Sequence, residues 1–319
     1  MHLLEIEITT MCDQNCEYCY NRGYKNQNMD FEEIVRYFKF AEKYGVELVV
    51  LSGGEASLHP EFEKICDYLE KNRPEVKRIV VQSNGYIKNI PYEKLKVFDS
   101  IHLSYELDST TVRTHSTEQN LNLAKFYVEH GIHSYLFSTI TKENICNIDN
   151  IVEKANSENV DVGFNICCDT GKNSSLLLTK EQKFEICKKM NKLSKDGKIL
   201  PFKNPMVSII NDTKSEIFIG VKGGCTAGIA SCVVSPYGEV YPCPFFRKSV
   251  GNTREKNLED IWLNSEILKI FRSRKLFDEP CGNCEYLSYC GGCRKAAYER
   301  TSRLQGADVT CFKDCVSLD

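Results

Sequence analysis

Long apolar runs are absent from this chain of 319 residues. No segment approaches about 18 consecutive uncharged apolar residues, which argues against a helix that spans a bilayer. The sequence opens with Met-His-Leu-Leu-Glu and lacks both the basic region and the apolar stretch of a signal peptide. From these absences we expect a cytoplasmic protein without membrane contact.

An excess of one charge sign is lacking too. The chain has 41 lysines and arginines against 44 aspartates and glutamates, a formal charge of −3. Such a balance creates no strong field for nucleic acid or an anionic membrane surface, so neither is expected as a partner. With 42% hydrophobic and 27% charged residues, the composition is that of a globular protein with a sizeable core.

Cysteine, in contrast, is abundant, with 17 residues. Without a secretion signal, this number argues against a disulfide scaffold, and an odd total excludes complete internal pairing. Clustered cysteines in a reducing cytosol more often bind metal.

The first two-thirds of the chain alternates strand-like and helix-like segments. Leu4, Ile6 and Ile8 alternate with polar residues, which is typical of a strand. Similar units recur up to about residue 167 and predict parallel strands with right-handed crossovers. Six such units make either a doubly wound sheet or an incomplete β/α barrel, and in both folds ligands bind at the carboxyl ends of the strands.

A cysteine loop follows the first strand. Cys12, Cys16 and Cys19 are separated by three and two residues. Iron–sulfur clusters are normally held by four thiolates, so three would leave one iron open, and chemistry happens at open metal positions. A zinc or redox loop is the alternative for this motif alone.

The spacing of these cysteines, with Tyr18 before the last, resembles the radical S-adenosylmethionine (SAM) enzymes. The resemblance implies that the open iron chelates the amino and carboxylate groups of SAM. It also favours an α/β fold with an incomplete (β/α)6 TIM-like barrel over residues 1–200. Gly53, Gly54 and Glu55 match the family's GGE motif after the second strand, where glycines allow close backbone approach and the glutamate suits the SAM ammonium.

Three serines end the next strands, Ser83, Ser104 and Ser138. The resemblance implies that polar residues at such positions bind the ribose and carboxylate of SAM. Each also has an ordinary interpretation as a capping or turn serine.

The last hundred residues carry further cysteines, whose C-x2-C pairs are, taken alone, typical of zinc sites. Together they resemble the SPASM domain of radical SAM enzymes, which implies two auxiliary 4Fe-4S clusters besides the SAM-binding one. The resemblance implies that one of these clusters is ligated by a first auxiliary set, Cys225, Cys232, Cys243 and Cys293, and the other by a second auxiliary set, Cys281, Cys284, Cys290 and Cys311.

Two details of this assignment stay open. Cys293 follows Cys290 after two residues where the family has three, and Cys315 is an alternative to Cys311. The predicted SPASM domain spans residues 225–319, after a linker over 201–224.

Cys167 is the candidate catalytic residue. In the sixth strand, bulky residues alternate with a smaller set that ends at Cys167, which predicts a position inside the barrel. There it could donate a hydrogen atom or proton to a substrate radical. The alternative is a buried structural thiol.

The resemblance implies reductive cleavage of SAM to a 5′-deoxyadenosyl radical that abstracts hydrogen from an unactivated C–H bond. The leading expectation is a peptide maturase that forms a cross-link, a thioether or an epimerised residue, with a flavodoxin- or ferredoxin-type reductant. Since the first strand starts almost at Met1, we expect a separate leader-recognition protein or a direct peptide groove.

Three other functions compete. A small molecule, such as an aminoglycoside or a cofactor precursor, is the main alternative substrate. A sulfatase-type maturase is another alternative, because those enzymes resemble this chain. They carry an aspartate just after the cysteine equivalent to Cys243, and Pro244 at that position here argues against this function. A non-catalytic zinc-binding protein would lack SAM chemistry altogether.

Overall fold

A computed structural model describes residues 1–106, 117–202, 204–211, 224–274 and 276–316. It divides into two compact units, Met1–Leu176 with Val233–Glu239, and Leu177–Cys232 with Val240–Asp319. Residues 203 and 212–223 of the predicted linker lie outside the described residues, and the linker boundaries stay a prediction. Within the described ranges, no helix is long and apolar enough to cross a membrane.

Strands and helices alternate in the first unit. They are β1 (Leu3–Thr9), α1 (Phe31–Lys43), β2 (Leu48–Gly53), α2 (Phe62–Lys71), β3 (Arg78–Ser83), α3 (Tyr92–Leu95), β4 (Ser100–Ser104), α4 (Thr117–Glu129), β5 (Ser134–Ile140), α5 (Ile148–Ser157) and β6 (Asp161–Ile166).

The order of the six strands resolves the fold. β1 to β6 pair in parallel, each with the next in sequence. A doubly wound sheet reverses its strand order at a switch point, whereas a barrel does not. Six sequential strands, against the eight of a complete barrel, are typical of a partial TIM barrel. The predicted α/β fold is therefore confirmed.

The two faces of this sheet differ in polarity. Leu4, Ile6 and Ile8 of β1 are fully buried on the apolar face. Glu5 and Glu7 alternate with them and are buried on the opposite face. Side chains alternate along a strand, so the polar face is the one that would line the inside of the partial barrel.

The second unit is built from short elements. They are α6 (Lys180–Lys195), α7 (Val207–Ile210), β7 (Ser231–Val234), β8 (Glu239–Tyr241), β9 (Gly251–Asn252), α8 (Leu258–Asn264), α9 (Glu266–Arg272), α10 (Arg294–Thr301) and α11 (Lys313–Val316). β7 and β8 contribute residues to both units. A small apolar cluster is formed by Ala227, Phe246, Phe271 and Leu304.

Candidate functional site

The cysteine loop begins directly after β1. The backbone N–H of Gln14 donates to Sγ of Cys12 at 3.4 Å, and that of Asn21 donates to Sγ of Cys19 at 3.4 Å. Cys16, which lies between these two cysteines in the sequence, has a buried side chain. Hydrogen bonds to sulfur stabilise thiolate charge, which suits cysteines that ligate a cluster.

The two glycines at the end of β2, Gly53 and Gly54, lie against the end of β1 and the start of this loop. The N–H of Gly54 donates to the carbonyl of Thr9 at 2.7 Å, and the N–H of Glu55 to that of Met11 at 2.7 Å. A Cβ on Gly54 would stand 2.2 Å from the Met11 carbonyl oxygen, and one on Gly53 2.1 Å from that of Thr9. The close approach that requires glycine here is therefore made to the cysteine loop itself.

The Glu55 carboxylate joins the ends of β2 and β3. It is fully buried and accepts hydrogen bonds from the backbone N–H and hydroxyl of Ser57 and from the Ser83 hydroxyl at 2.9 and 3.1 Å. The N–H of Asn84 donates to it at 2.7 Å. Burial raises the pKa of Glu55, while these donors oppose the rise. Both oxygens thus have partners within the protein, and Ser83 is one of them.

Asn84 follows Ser83 at the end of β3, where sequence reasoning assigned it no role. Its side-chain amide lies 2.7 Å from Oδ1 of Asp13 and 3.6 Å from Sγ of Cys12. Its carbonyl accepts from the Asn120 amide at 2.8 Å, which also donates to the Ser104 carbonyl at 2.7 Å. Its place beside Ser83, at the carboxyl end of a strand, was the available signal.

Glu106 was missed as well. It lies two residues beyond β4, is 3% exposed, and accepts a hydrogen bond from the hydroxyl of Tyr18. Tyr18 is the aromatic residue of the cysteine motif, so this contact ties the loop to the end of β4. The position of Glu106 after a strand could have identified it.

Cys167 lies just beyond β6 and is 7% exposed. The Asn173 amide donates to its sulfur at 3.3 Å. Burial raises the pKa of the Cys167 thiol to about 12, and the charges of Glu106 and Asp169 add to the rise. Cys167 is therefore a neutral thiol within electrostatic reach of Glu106.

The segment after Cys167 also contacts the cysteine loop. Nζ of Lys172 lies 3.4 Å from the carbonyl oxygen of Arg22, and the Ser175 hydroxyl lies 3.5 Å from the Glu17 carboxylate. The candidate hydrogen donor and the candidate cluster loop therefore belong to one connected region of the first unit.

Ser104 and Ser138 lie on different faces of the sheet. Ser104 pairs with Phe137 of the neighbouring strand, and paired residues of parallel strands share a face. Ser138 follows Phe137 and so shares the opposite face with Leu136 and Ile140, both fully buried or nearly so. The Ser138 hydroxyl is buried without a hydrogen-bond partner in the described structure. The predicted SAM-binding serines are thus not brought together as one group.

The second auxiliary set is gathered in space. Burial raises the pKa of Cys290 to about 12, and the charges of Cys311 and Cys281 add to it. Burial likewise raises the pKa of Cys311, to which Cys281 and Cys284 contribute. Backbone N–H groups donate to the sulfurs of Cys281, Cys290 and Cys311 at 3.3–3.5 Å.

The first auxiliary set is partly connected. Burial raises the pKa of Cys225 to about 11, with Cys293 as the next cause. The shortened spacing before Cys293 therefore does not carry its side chain away from Cys225. Cys232 is fully buried on β7, and Cys243 is half-buried after β8.

The donor chemistry fits iron–sulfur clusters. Among the residues that the structure describes, no three His, Cys, Asp or Glu side chains surround a point where a single metal ion could sit. A cubane is wider than one ion, so its thiolates stand further apart. Nε and Nη2 of the buried Arg294, next to Cys293, have no hydrogen-bond partner in the described structure, which fits an anionic group there.

Comparison with protein families gives two matches. Residues 6–155 match the Radical SAM superfamily, and residues 225–285 match SPASM, an iron-sulfur cluster-binding domain. The first match includes the cysteine loop and the GGE motif. The second includes the first five cysteines of the auxiliary sets.

Two relatives align with most of the chain. An AdoMet-dependent heme synthase of Methanosarcina barkeri is 25% identical over 341 residues, which cover 97% of this chain and 96% of that protein. The antilisterial bacteriocin subtilosin biosynthesis protein AlbA of Bacillus subtilis is 26% identical over 306 residues, 90% of this chain and 66% of AlbA.

Solved structures share the fold. SuiB of Streptococcus suis bound to S-adenosylmethionine superposes with a TM-score of 0.80 at 18% identity, over 97% of this chain and 76% of SuiB. SuiB bound to its precursor peptide SuiA gives a TM-score of 0.78 at 18% identity, over 97% of this chain and 75% of SuiB. The protein anSMEcpe with bound AdoMet gives 0.74 at 18% identity, over 99% and 92% of the two chains.

Proposed function

Since this chain combines a radical SAM domain with an iron–sulfur cluster-binding SPASM domain, we propose that it is a SAM-cleaving enzyme that modifies a peptide. The modification would be a cross-link, a thioether or an epimerised residue. A flavodoxin- or ferredoxin-type protein would supply electrons in the cytoplasm, and a separate protein could present the peptide leader. None of the 17 cysteines is paired in a disulfide, which supports a reducing compartment.

Similarity to peptide-binding relatives carries the substrate proposal. SuiB has been solved with a precursor peptide bound, and the fold of that complex matches 97% of this chain. AlbA acts in the biosynthesis of a bacteriocin, subtilosin. An enzyme of this fold can therefore bind a precursor peptide, which supports a peptide substrate for this chain.

Cys12, Cys16 and Cys19 would hold the SAM-binding cluster, and the two auxiliary sets would hold one cluster each. When bound, SAM and its cluster supply a 5′-deoxyadenosyl radical that removes a hydrogen atom from the substrate. Gly53 and Gly54 keep the end of β2 against the cysteine loop. Ser83, Ser104 and Ser138 remain candidates for SAM contact. Strand register puts only Ser104 on the polar face, whereas Ser83 pairs with Leu103 on the apolar face and its hydroxyl already donates to Glu55.

Glu55 acts in this proposal through its neighbours. Its carboxylate already accepts hydrogen bonds from Ser57, Ser83 and Asn84. A group with both oxygens committed is better suited to orienting the loop than to binding the SAM ammonium directly. We therefore assign Glu55 as a positioning residue, whose effect reaches Cys12 through Asn84.

Cys167 is proposed as the hydrogen donor for an epimerisation, the one of the three modifications that returns a hydrogen atom to the substrate carbon. Its S–H hydrogen atom would pass to a carbon radical of the substrate, leaving a sulfur radical on Cys167. One electron from the external reductant and one proton from solvent would restore the thiol. The neutral state of Cys167 supports this role, because a thiolate has no hydrogen atom to give.

A small-molecule substrate is the second candidate. It is favoured by the match to an AdoMet-dependent heme synthase over 96% of that protein. A tetrapyrrole precursor would then occupy the open end of the barrel in place of a peptide.

One experiment separates the two substrates. Anaerobically reconstituted protein is given dithionite and SAM, with either a short peptide encoded beside its gene or an iron tetrapyrrole precursor. We expect 5′-deoxyadenosine and a mass change in the peptide, and neither product in the variant with Cys12, Cys16 and Cys19 replaced by alanine. If 5′-deoxyadenosine and a modified substrate form with the tetrapyrrole but not with the peptide, the peptide proposal is wrong and the small-molecule function replaces it.

A further inference from the structure

A half-buried cation, Arg274, lies between the two auxiliary sets in the second unit. A Cβ built on Gly224 would stand 3.0 Å from Nη2 of Arg274, and one built on Gly291 would stand 3.0 Å from its Cζ. Gly224 precedes Cys225, and Gly291 follows Cys290. The guanidinium is therefore adjacent to one cysteine of each set.

Backbone contacts hold the Arg274 guanidinium between the two cysteine segments. A Cβ on Gly224 would also stand 2.4 Å from the carbonyl oxygen of Cys290, so the two cysteine segments touch directly. Nη1 of Arg274 donates to the carbonyl of Leu287 at 2.8 Å and to that of Ser288. Burial lowers the pKa of Arg274, and the charges of Cys290 and Cys225 oppose that fall.

A second cation, Arg294, is buried in the same unit and is 5% exposed. Its Nη1 donates to the carbonyls of Leu304 at 3.0 Å and Gly306 at 2.7 Å. Its Nε and Nη2 have no hydrogen-bond partner in the described structure. Its charge helps to lower the pKa of Cys225, whose rise is caused mainly by burial. The Arg294 guanidinium also lies 4.0 Å from the centroid of the Phe277 ring. A Cβ built on Gly292 would stand 2.7 Å from its Nη2 and 3.4 Å from Oδ2 of the buried Asp308, so the Asp308 carboxylate offsets part of its charge, and its two unbonded nitrogens leave donors for a second anionic group.

We propose that the half-buried Arg274 and the buried Arg294 form a cationic pair that balances the negative charge of the two auxiliary clusters and raises their reduction potentials. This inference rests on the proposed ligation of those clusters by the auxiliary sets, and not on the identity of the substrate. A 4Fe-4S cluster with four thiolates is an anion, and each added electron makes it more negative. A fixed cation nearby stabilises the reduced form more than the oxidised form.

The positions of the two residues predict different effects. Arg274 adjoins both sets, so its charge should act on both clusters. Arg294 adjoins Cys293 and acts on Cys225, so its main effect should fall on the first cluster. Arginine stays charged at all working pH values, which makes the pair a constant field and not a switch.

The test is an EPR-monitored redox titration of the full-length reconstituted protein. Cys12, Cys16 and Cys19 are replaced by alanine in every sample, so that only auxiliary clusters contribute signals. Arg274→Gln removes the charge, Arg274→Lys keeps it, and Arg294→Gln removes the second charge. Arg303→Gln is the matched control, because its side chain is 62% exposed and pairs with Asp278.

We expect Arg274→Gln to lower the potentials of both clusters, with about a tenfold drop in the ratio of reduced to oxidised cluster at fixed potential. Arg274→Lys should restore most of that ratio, although lysine cannot reproduce the forked hydrogen bonds. Arg294→Gln should lower one potential more than the other, and Arg303→Gln should change neither.

Wild-type potentials in Arg274→Gln and Arg294→Gln at full iron content would overturn the inference. If Arg274→Gln loses a cluster, the potential of the first cluster in Arg294→Gln becomes the test, because this variant leaves the contacts of Arg274 with Leu287 and Ser288 in place. An unchanged potential there would overturn the inference. A parent protein without about eight irons per chain in this background would instead refute the cluster assignment itself.

Discussion

The hydroxyl of Tyr18 donates a hydrogen bond to the carboxylate of Glu106, 88 residues further along the chain. Tyr18 directly precedes Cys19, and Glu106 lies just beyond β4. The bond therefore connects the proposed cluster loop to a strand three positions away in the sheet. The aromatic residue of the cysteine motif therefore contributes its hydroxyl group to the structure as well as its ring.

Removing this hydroxyl should loosen the loop. Tyr18→Phe leaves the buried carboxylate of Glu106 without one of its donors, so we expect the free energy of unfolding to fall by about 1–3 kcal/mol. SAM binding should weaken, because the loop that presents the cluster is less constrained. Urea denaturation and SAM titration of the cluster spectrum measure the two effects.

Tyr24→Phe is the matched control for Tyr18. Tyr24 lies in the same connection after β1 but is 40% exposed. Its variant should differ little from wild type in both measurements. Equal effects from the two variants would contradict a special role for the bond between Tyr18 and Glu106.

Gly54→Ala should disrupt the junction of β2 with the cysteine loop. The added Cβ would stand 2.2 Å from the carbonyl oxygen of Met11, which is backbone and cannot move aside cheaply. We expect a loss of about 3 kcal/mol or more in unfolding free energy, together with a lower iron content after reconstitution.

Gly45→Ala controls for the loss of glycine. Gly45 has φ +60° and open space around its Cβ position, so alanine there costs only backbone strain, about 1–2 kcal/mol. Its iron content should equal that of wild type. Full iron content and SAM cleavage in Gly54→Ala would show that the close approach to Met11 is unimportant.

The buried carboxyl of Glu55 should make stability depend on pH. Burial raises its pKa in the folded state. Because its pKa is higher in the folded than in the unfolded protein, protonation of Glu55 stabilises the folded state. This stabilisation is complete below the unfolded pKa and is lost as pH rises through the folded pKa. The stability advantage of wild type over Glu55→Gln should therefore narrow from acidic to neutral pH.

Urea denaturation of the metal-free protein across this pH range measures that advantage. Glu63→Gln serves as the control, because Glu63 on α2 is 54% exposed, and its difference from wild type should stay small and constant. A wild-type advantage over Glu55→Gln that grows with pH would contradict the raised pKa.

Cys167→Ala tests the proposed hydrogen donor. If the modification is an epimerisation, wild type in D2O should place one solvent deuterium at the inverted carbon, because Cys167 supplies the hydrogen. The alanine variant should still form 5′-deoxyadenosine but lose that deuterium. Because burial raises the pKa of Cys167 to about 12, deuterium incorporation should be constant from neutral to mildly alkaline pH.

Cys66→Ala is the comparison for Cys167. Cys66 is 1% exposed on α2, and burial raises its pKa to about 12 as well. It matches Cys167 in burial and acidity but lies on a helix. Unchanged deuterium incorporation in Cys167→Ala would reduce Cys167 to a buried structural thiol.

The chain alone predicted the chemistry at the proposed cluster loop and the α/β fold, because both are written in local patterns. The spacing of Cys12, Cys16 and Cys19 and the apolar alternation of β1 each occupy fewer than ten consecutive residues. It left barrel and doubly wound sheet unresolved, since strand order is a long-range property.

Partnerships across the sheet needed the folded chain. Glu55 meets Ser83 and Asn84 at separations of 28 and 29 residues, and Tyr18 meets Glu106 at 88. The face of a side chain at a strand end was equally hidden, since a shift of one residue along a strand reverses it, as Ser138 shows beside Phe137. The identity and spacing of the cysteines determine which cofactor the sequence predicts. The positions of the carboxylates, amides and guanidiniums around that site follow instead from the parallel pairing of strands and from close backbone packing in the folded chain.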